Sequence, residues 1–219
     1  MPLAALHRNE RPARPDDLAG MVVHHVTEPA LMASIQGRTI QEMSRRLDAG
    51  HHAYVAYVHD VPAAWGWVAT RSAEIGELGA SFAIASAERY LWNFVTAPAF
   101  RGRGIYPRLL AHIIDAESRD AEWFWIAWAP ENHASGKGIR RAGFTPVAEL
   151  SFDANGLPAL HDMQPGGAAL AAGMLGLPEA EEKLAQCWRC ARAKKSVAMS
   201  CAEDACRCDY QVPASGCAA

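Results

Sequence analysis

Between residues 97 and 115 the chain reads APAFRGRGIYPRLLAHIID, with two arginines and two glycines in the four positions 101–104. Glycine removes the Cβ that would hold a ligand away from the backbone, and arginine brings a planar fork of donors. Helical spacing follows at once: Ile105, Leu109 and Ile113 share a face, with Tyr106, Leu110 and Ile114 beside it. Pro107 falls in the first turn, where a missing N–H costs little. A glycine turn that opens a helix points free N–H groups outward, which suits an anion such as a pyrophosphate. Arg103 and Arg108, with Lys137, Arg140 and Arg141 further on, could add positive charge.

Two nucleotide readings fail on spacing. A G-x-G-x-x-G fingerprint needs a third glycine where Pro107 stands. A P-loop built on SGKG (135–138) needs Gly at 131 and Ser or Thr at 138, where the chain has Glu131 and Gly138.

A second group able to do chemistry is the cysteines. Residues 1–186 contain none, and the six are Cys187, Cys190, Cys201, Cys206, Cys208 and Cys217. Cys187 and Cys190 have zinc-knuckle spacing, and any two of Cys201, Cys206 and Cys208 could complete a four-thiolate site. A structural zinc site is one reading of this tail; an iron–sulfur centre and a redox-active or disordered tail are the others. The pairs His24–His25 and His51–His52 do not suggest ligands, because neighbours on a strand point to opposite faces.

The elements that must position the glycine turn follow from periodicity. RPARPDD predicts an extended segment, and a helix capped at Asp16 or Asp17 is expected next. Leu31, Ile35, Ile40, Met43 and Leu47 predict a helix that stops at Gly50. HAYVAYV (52–58) and AAWGWVAT (63–70) read as strands around a turn at 59–62. RYLWNFVT (89–96) reads as a buried strand running into the glycine turn. EWFWIAWA (122–129) is another strand, NHASGKGIRRAGF a helix ending at Gly143, and TPVAELSF (145–152) a closing strand. Strands lead into helices twice, which favours a mixed α/β sheet. Trp65, Trp67, Trp92, Trp123, Trp125 and Trp128 read as core, with room for one or two to wall an acceptor pocket.

The chain divides into residues 1–152, a Gly/Ala/Pro-rich linker with one weak helix at 153–177, and the Cys-rich 178–219. Half of the 219 residues are hydrophobic, as expected of a globular protein with a real core. A formal net charge of −3 gives no general attraction for nucleic acid. The apolar run 166–178 is short and glycine-broken, so no membrane partner is expected. No signal-like apolar segment opens the chain, and a cytoplasmic location is expected.

With these elements in this order, residues from about 10 to 152 resemble the GNAT-type N-acetyltransferase superfamily. Its R/Q-x-x-G-x-G/A turn is matched by Arg101 and Gly104, with Tyr106 where Gly or Ala is usual, and Pro98 fits the same run. Asn132, Ser135, Gly143 and Phe144 match the family's N-x-x-A/S…G-F helix. The resemblance implies a splayed mixed β-sheet flanked by helices, with acetyl-CoA as cosubstrate held between two strands. By the same resemblance Phe94, Val95 and Thr96 would pair with the pantetheine. Arg101, Gly102, Arg103, Gly104, Ile105 and Tyr106 would hold the pyrophosphate, and Asn132 and Ser135 the pantetheine arm.

The implied reaction is direct attack by an amine, a small molecule first and a protein amine next, on the thioester carbonyl. Many members carry a tyrosine seven residues after the asparagine, where this chain has Ile139. Tyr106 or Tyr90 could take its place as acid. Glu88, which would share a face with residues 90, 92 and 94, is a candidate base beside Tyr90, with Glu74 and Glu77 as rivals. The alternative is an acyl-CoA-binding regulatory module without turnover, its tail responding to metal or redox state. A homodimer is left open.

Overall fold

The segment PLAALH has no polar face, which suits a strand covered on both sides. In the computed structural model, which describes residues 1–13, 15–76, 79–153 and 157–180, it forms β1 (Pro2–His7) inside a mixed sheet. β1 pairs antiparallel with β8 (Trp123–Ala127) on one side and β9 (Thr145–Phe152) on the other. With β2 (Met21–Val26), β3 (His51–Val58), β4 (Val61–Ala69), β7 (Glu88–Thr96) and β10 (Pro158–Asp162), the sheet runs β10-β9-β1-β8-β7-β4-β3-β2. A short hairpin, β5 (Ser72–Ile75) with β6 (Ala80–Ala83), stands apart from it. β7 and β8 are the parallel pair among the described strands; the other neighbours are antiparallel.

Helices cover both faces. α3 (Ile105–Glu117) and α4 (His133–Arg141) bury Ile105, Leu109, Leu110, Ile113 and Ile139 against Val68, Leu91, Phe124 and Ile126. On the opposite face α1 (Pro29–Gln36) and α2 (Ile40–Asp48) set Met32 and Met43 against Val55 and Trp67. α5 (Gly167–Leu175) and the β5–β6 hairpin cover Tyr90, Trp125 and Leu150 on that same side. The result is the splayed mixed sheet flanked by helices that the sequence predicts.

Several local expectations are corrected. The helix expected after Asp16 and Asp17 is absent: the segment is irregular up to a turn at Gly20 (φ +73°), and the β-branched Val22, Val23 and Val26 pair with β3. The single helix expected to run to Gly50 is two. Gly37 (φ +63°) ends α1 in the left-handed region, and the Thr39 hydroxyl accepts from the Glu42 N–H to open α2. The β3–β4 turn is only His59–Asp60, both at positive φ, as a tight hairpin requires. The linker expected at 153–177 holds, besides its one helix (α5), the strand β10, and the two contribute Leu160, Ala168, Ala171 and Met174 to the core.

Candidate functional site

The parallel pairing of β7 and β8 runs only from Glu88 opposite Trp123 to Leu91 opposite Ile126. β7 continues to Thr96 while the chain after β8 turns towards α4, so Trp92–Thr96 face β8 without a strand partner. Where the strands part, Asn93 adopts φ +55° and the register against β4 shifts between Trp65 and Trp67. This bulge corrects the expected alternation. Tyr90 and Trp92 lie towards α5, α1 and α2, but Phe94 is turned to the α3 face, in the cluster of Leu91 and Ile105. Gly66 makes that possible, because a Cβ there would stand 2.1 Å from the Phe94 ring.

β7 leads through Pro98–Phe100, one turn of 3-10 helix, into the glycine turn. Gly102 (φ +76°) and Gly104 (φ +69°) both need the left-handed region, and a Cβ on Gly102 would meet nothing within 4 Å. The N–H groups of Gly102, Arg103, Gly104, Ile105 and Tyr106 donate to no carbonyl among the described residues. They form an open row of donors at the N-terminus of α3, where the helix dipole adds positive potential. The arginines are less free than the sequence suggested. Arg108 donates to the Gly104 carbonyl at 3.0 Å and to the Asp16 carbonyl at 2.7 Å, so it braces the turn. Arg101 Nε donates to the Thr96 carbonyl at 3.2 Å, and Arg103 lies over Phe100, its Cζ 5.4 Å from the ring centre.

Across the splay, Asn132 caps α4: its Oδ1 accepts from the Ser135 N–H at 3.0 Å. Tyr106 bridges the gap. Its ring lies 5.5 Å from that of Phe94 and its hydroxyl 3.5 Å from Ser135 Oγ. Gly138 on α4 receives the ring, since a Cβ there would stand 2.5 Å from Tyr106 Cδ1. Burial pushes the Tyr106 phenol well above its ordinary value, and the Ser135 hydrogen bond only partly offsets this. A chain of contacts thus runs from Phe94 on β7 through Tyr106 at the start of α3 to Ser135 and its capping partner Asn132 on α4.

The other candidate catalytic residues lie elsewhere. Glu88 begins β7 at its paired end, five positions before the bulge at Asn93, or about 17 Å along the strand. Tyr90 is buried with its ring against the edge of Phe82, 5.2 Å away beneath the hairpin. Glu74 is exposed on β5, and Glu77 lies outside the described residues. Ile139 is fully buried among α3 and sheet residues. Cys187, Cys190, Cys201, Cys206 and Cys208 also lie outside the described residues, among which no group of three or more His, Cys, Asp or Glu could hold a metal.

Two polar clusters were not foreseen. On the α1–α2 face Trp92 Nε1–H donates to His51 Nδ1 at 3.2 Å. Arg46 of α2 lies over Trp92 (4.8 Å) and Trp67 (5.2 Å), and its Nη2 donates to Glu42 Oε1 at 2.7 Å. Burial keeps the His51 ring below its ordinary value, aided by Arg46 and His52. On the α3 face the buried Glu117 carboxylate accepts from Tyr54 (2.7 Å) and Arg89 Nε (2.8 Å) and meets His52 Nδ1 at 2.7 Å. His25 of β2 packs beside them, 5.1 Å from His52 and from Tyr54. The alternation of His51 and His52 was the available signal, since it sends one to each face.

A family model described as an acetyltransferase (GNAT) domain matches residues 11–145. The chain belongs to this GNAT acetyltransferase family, whose expected fold is the one found. No curated protein matches the chain. Among solved structures it is similar to a GCN5-related N-acetyltransferase from Kribbella flavida, at 18% identity over 66% of this chain and 53% of that one, with a TM-score of 0.44. The chain thus spans about half the length of that protein. It is also similar to AAC(6')-Iy bound to the bisubstrate analog CoA-S-monomethyl-acetylneamine, at 18% identity over 61% and 96% of the two chains, TM-score 0.46. A third is yncA from Salmonella typhimurium with acetyl-CoA, at 16% identity over 61% and 83%, TM-score 0.45. No helix of the described residues is long and apolar enough to cross a membrane.

Proposed function

We propose that the chain transfers an acetyl group from acetyl-CoA to a primary amine. The observation that carries this reading is the row of unpartnered N–H groups from Gly102 to Tyr106, placed where β7 ends after leaving β8. A pyrophosphate would sit on that row, with Arg101 and Arg103 exposed beside it. The pantetheine would extend along Phe94, Val95 and Thr96 as an added strand, passing Asn132 and Ser135 on the α4 side. Its thioester would then lie near the bulge at Asn93, open to the α1–α2 face.

In the reaction the amine nitrogen forms the new C–N bond while the C–S bond breaks. Nitrogen loses one proton and the leaving sulfur gains one, so no further reactant is needed. An amide of the unpaired part of β7 would stabilise the oxyanion. Of the candidate acids, Tyr106 is the one placed between β7 and α4, and its raised phenol pKa would keep it protonated as a hydrogen-bond donor to the thiolate. The amine is a small molecule in the first instance and a protein amine in the second.

The test combines acetyl-CoA binding with release of free thiol across an amine panel, in the parent and in Gly102→Val. The parent is expected to bind and turn over; the variant, with a branched Cβ in the open cradle, to bind at least tenfold more weakly. No thiol release with any amine, binding being retained, would favour the second reading, an acyl-CoA-binding module without turnover. Its support is Ile139, buried where many relatives carry a tyrosine. For the Cys-rich tail the zinc-knuckle spacing supports a separate thiolate metal site, tested by metal analysis of the full chain.

A further inference from the structure

The α1–α2 face carries donors without acceptors. Arg46 Nη1 and Trp67 Nε1 are both buried without a hydrogen-bond partner, and the Arg46 guanidinium lies over the Trp67 ring. Buried polar groups are nearly always satisfied, so the unmet Nη1 of Arg46 calls for an acceptor. A guanidinium is built to give two parallel hydrogen bonds to one carboxylate. Here Glu42 takes only Nη2, through one oxygen, and is itself 29% exposed on the outer side of the pair. The Arg46 guanidinium lies over the indoles of both Trp92 and Trp67, and Trp92 is fixed in turn by His51. Trp92 immediately precedes the bulge at Asn93 where β7 and β8 part.

We propose that Arg46 is the specificity-determining residue for an acceptor that carries a carboxylate together with an aromatic or apolar part. The carboxylate displaces Glu42 and takes both Nη1 and Nη2, while the apolar part lies on Trp92 and the half-buried Trp65. The placement of its amine at the thioester rests on the acetyl-transfer reading; the anion site does not.

Binding of matched acid and amide pairs separates the two claims. Indole-3-acetate against indole-3-acetamide, and phenylacetate against phenylacetamide, are measured by calorimetry on the full chain with no CoA present. The acid is expected to bind at least tenfold more tightly than its amide, as a charge-assisted bidentate contact implies. Arg46→Gln should erase that preference, and Arg46→Lys, a point charge without the fork, should lose most of it. Glu42→Gln, which frees the guanidinium, should strengthen acid binding. A melting curve for each variant checks the fold. In turnover, tryptophan and phenylalanine should exceed tryptamine and phenethylamine in kcat/KM by a similar factor. Equal binding of acid and amide, no binding of either, or a preference that survives in folded Arg46→Gln would overturn the proposal. Acid preference in a chain that does not bind acetyl-CoA would leave this site standing and defeat the acetyl-transfer reading instead.

Discussion

Glu117 offers the most quantitative test of how the sheet is held to α3. Its carboxylate is 4% exposed and joins the last turn of α3 to β3 through Tyr54 and His52 and to β7 through Arg89. Burial alone would raise its pKa, but the hydrogen bonds from His52, Arg89 and Tyr54, with the charge of His52, outweigh it and bring the carboxyl down to about 2. A shift of that size from the ordinary 4.5 corresponds to about 3 kcal/mol of stability. Because the folded value lies below the unfolded one, this contribution is complete above about pH 4.5 and is lost as pH falls towards 2. Glu117→Gln should therefore cost about 3–5 kcal/mol at neutral pH, since Arg89 is left buried without its carboxylate. For a chain of this size that lowers Tm by roughly 10 °C. Thermal and urea unfolding across pH 2–7 read both effects, and the variant should lack most of the parent's loss of stability on the acid side. The paired change Arg89→Met with Glu117→Leu should recover much of the loss, as neither charge then stays buried. The glycine turn is a full helix length away, 13 residues or about 19 Å, so acetyl-CoA affinity of the folded variant should match the parent. A Glu117→Gln protein within about 2 °C of the parent, or one that is folded and has lost CoA affinity tenfold, would refute this reasoning.

Three further outcomes follow from the site. Gly138→Ala places a methyl 2.5 Å from the Tyr106 ring and should cost about 1–3 kcal/mol, recovered in large part by adding Tyr106→Ala; unfolding curves of the double-mutant cycle measure this. Asn132→Ala removes the cap on α4, about 1 kcal/mol of stability, and should also weaken acetyl-CoA binding by calorimetry. Tyr106→Phe should lower kcat about a hundredfold, with acetyl-CoA affinity little changed, by steady-state thiol release.

The run from β7 through the glycine turn into α3 was legible because every signal in it is local: a β-rich strand, two glycines that must take positive φ, and a regular apolar stripe. The position of β1 was not, because its partners lie more than a hundred residues away and pairing of that range leaves no local mark. Gly37 and Thr39 did carry a stop and a start signal, but the apolar spacing across them masked the break. α5 was legible only as a weak helix within a linker, and its place in the core was not. Its glycines and alanines look like a linker, yet they allow a close approach to β9: a Cβ on Gly167 would stand 1.9 Å from the Val147 carbonyl oxygen. The bulge at Asn93 decides which way Phe94 faces, and its one sequence signal is on the neighbouring strand: Gly66, inside β4, lies opposite it. The donors around Arg46 emerge only when α2 is laid over two tryptophans from different strands.

The proposed seat of the acetyl-CoA pyrophosphate is the turn at 101–106. Native mass spectrometry of the full chain, with and without acetyl-CoA, tests it most directly. One acetyl-CoA per chain is expected on the parent and little or none on Gly102→Val at the same concentration. Folded parent protein that takes up no acetyl-CoA, or a Gly102→Val protein that binds it as well as the parent, would contradict it.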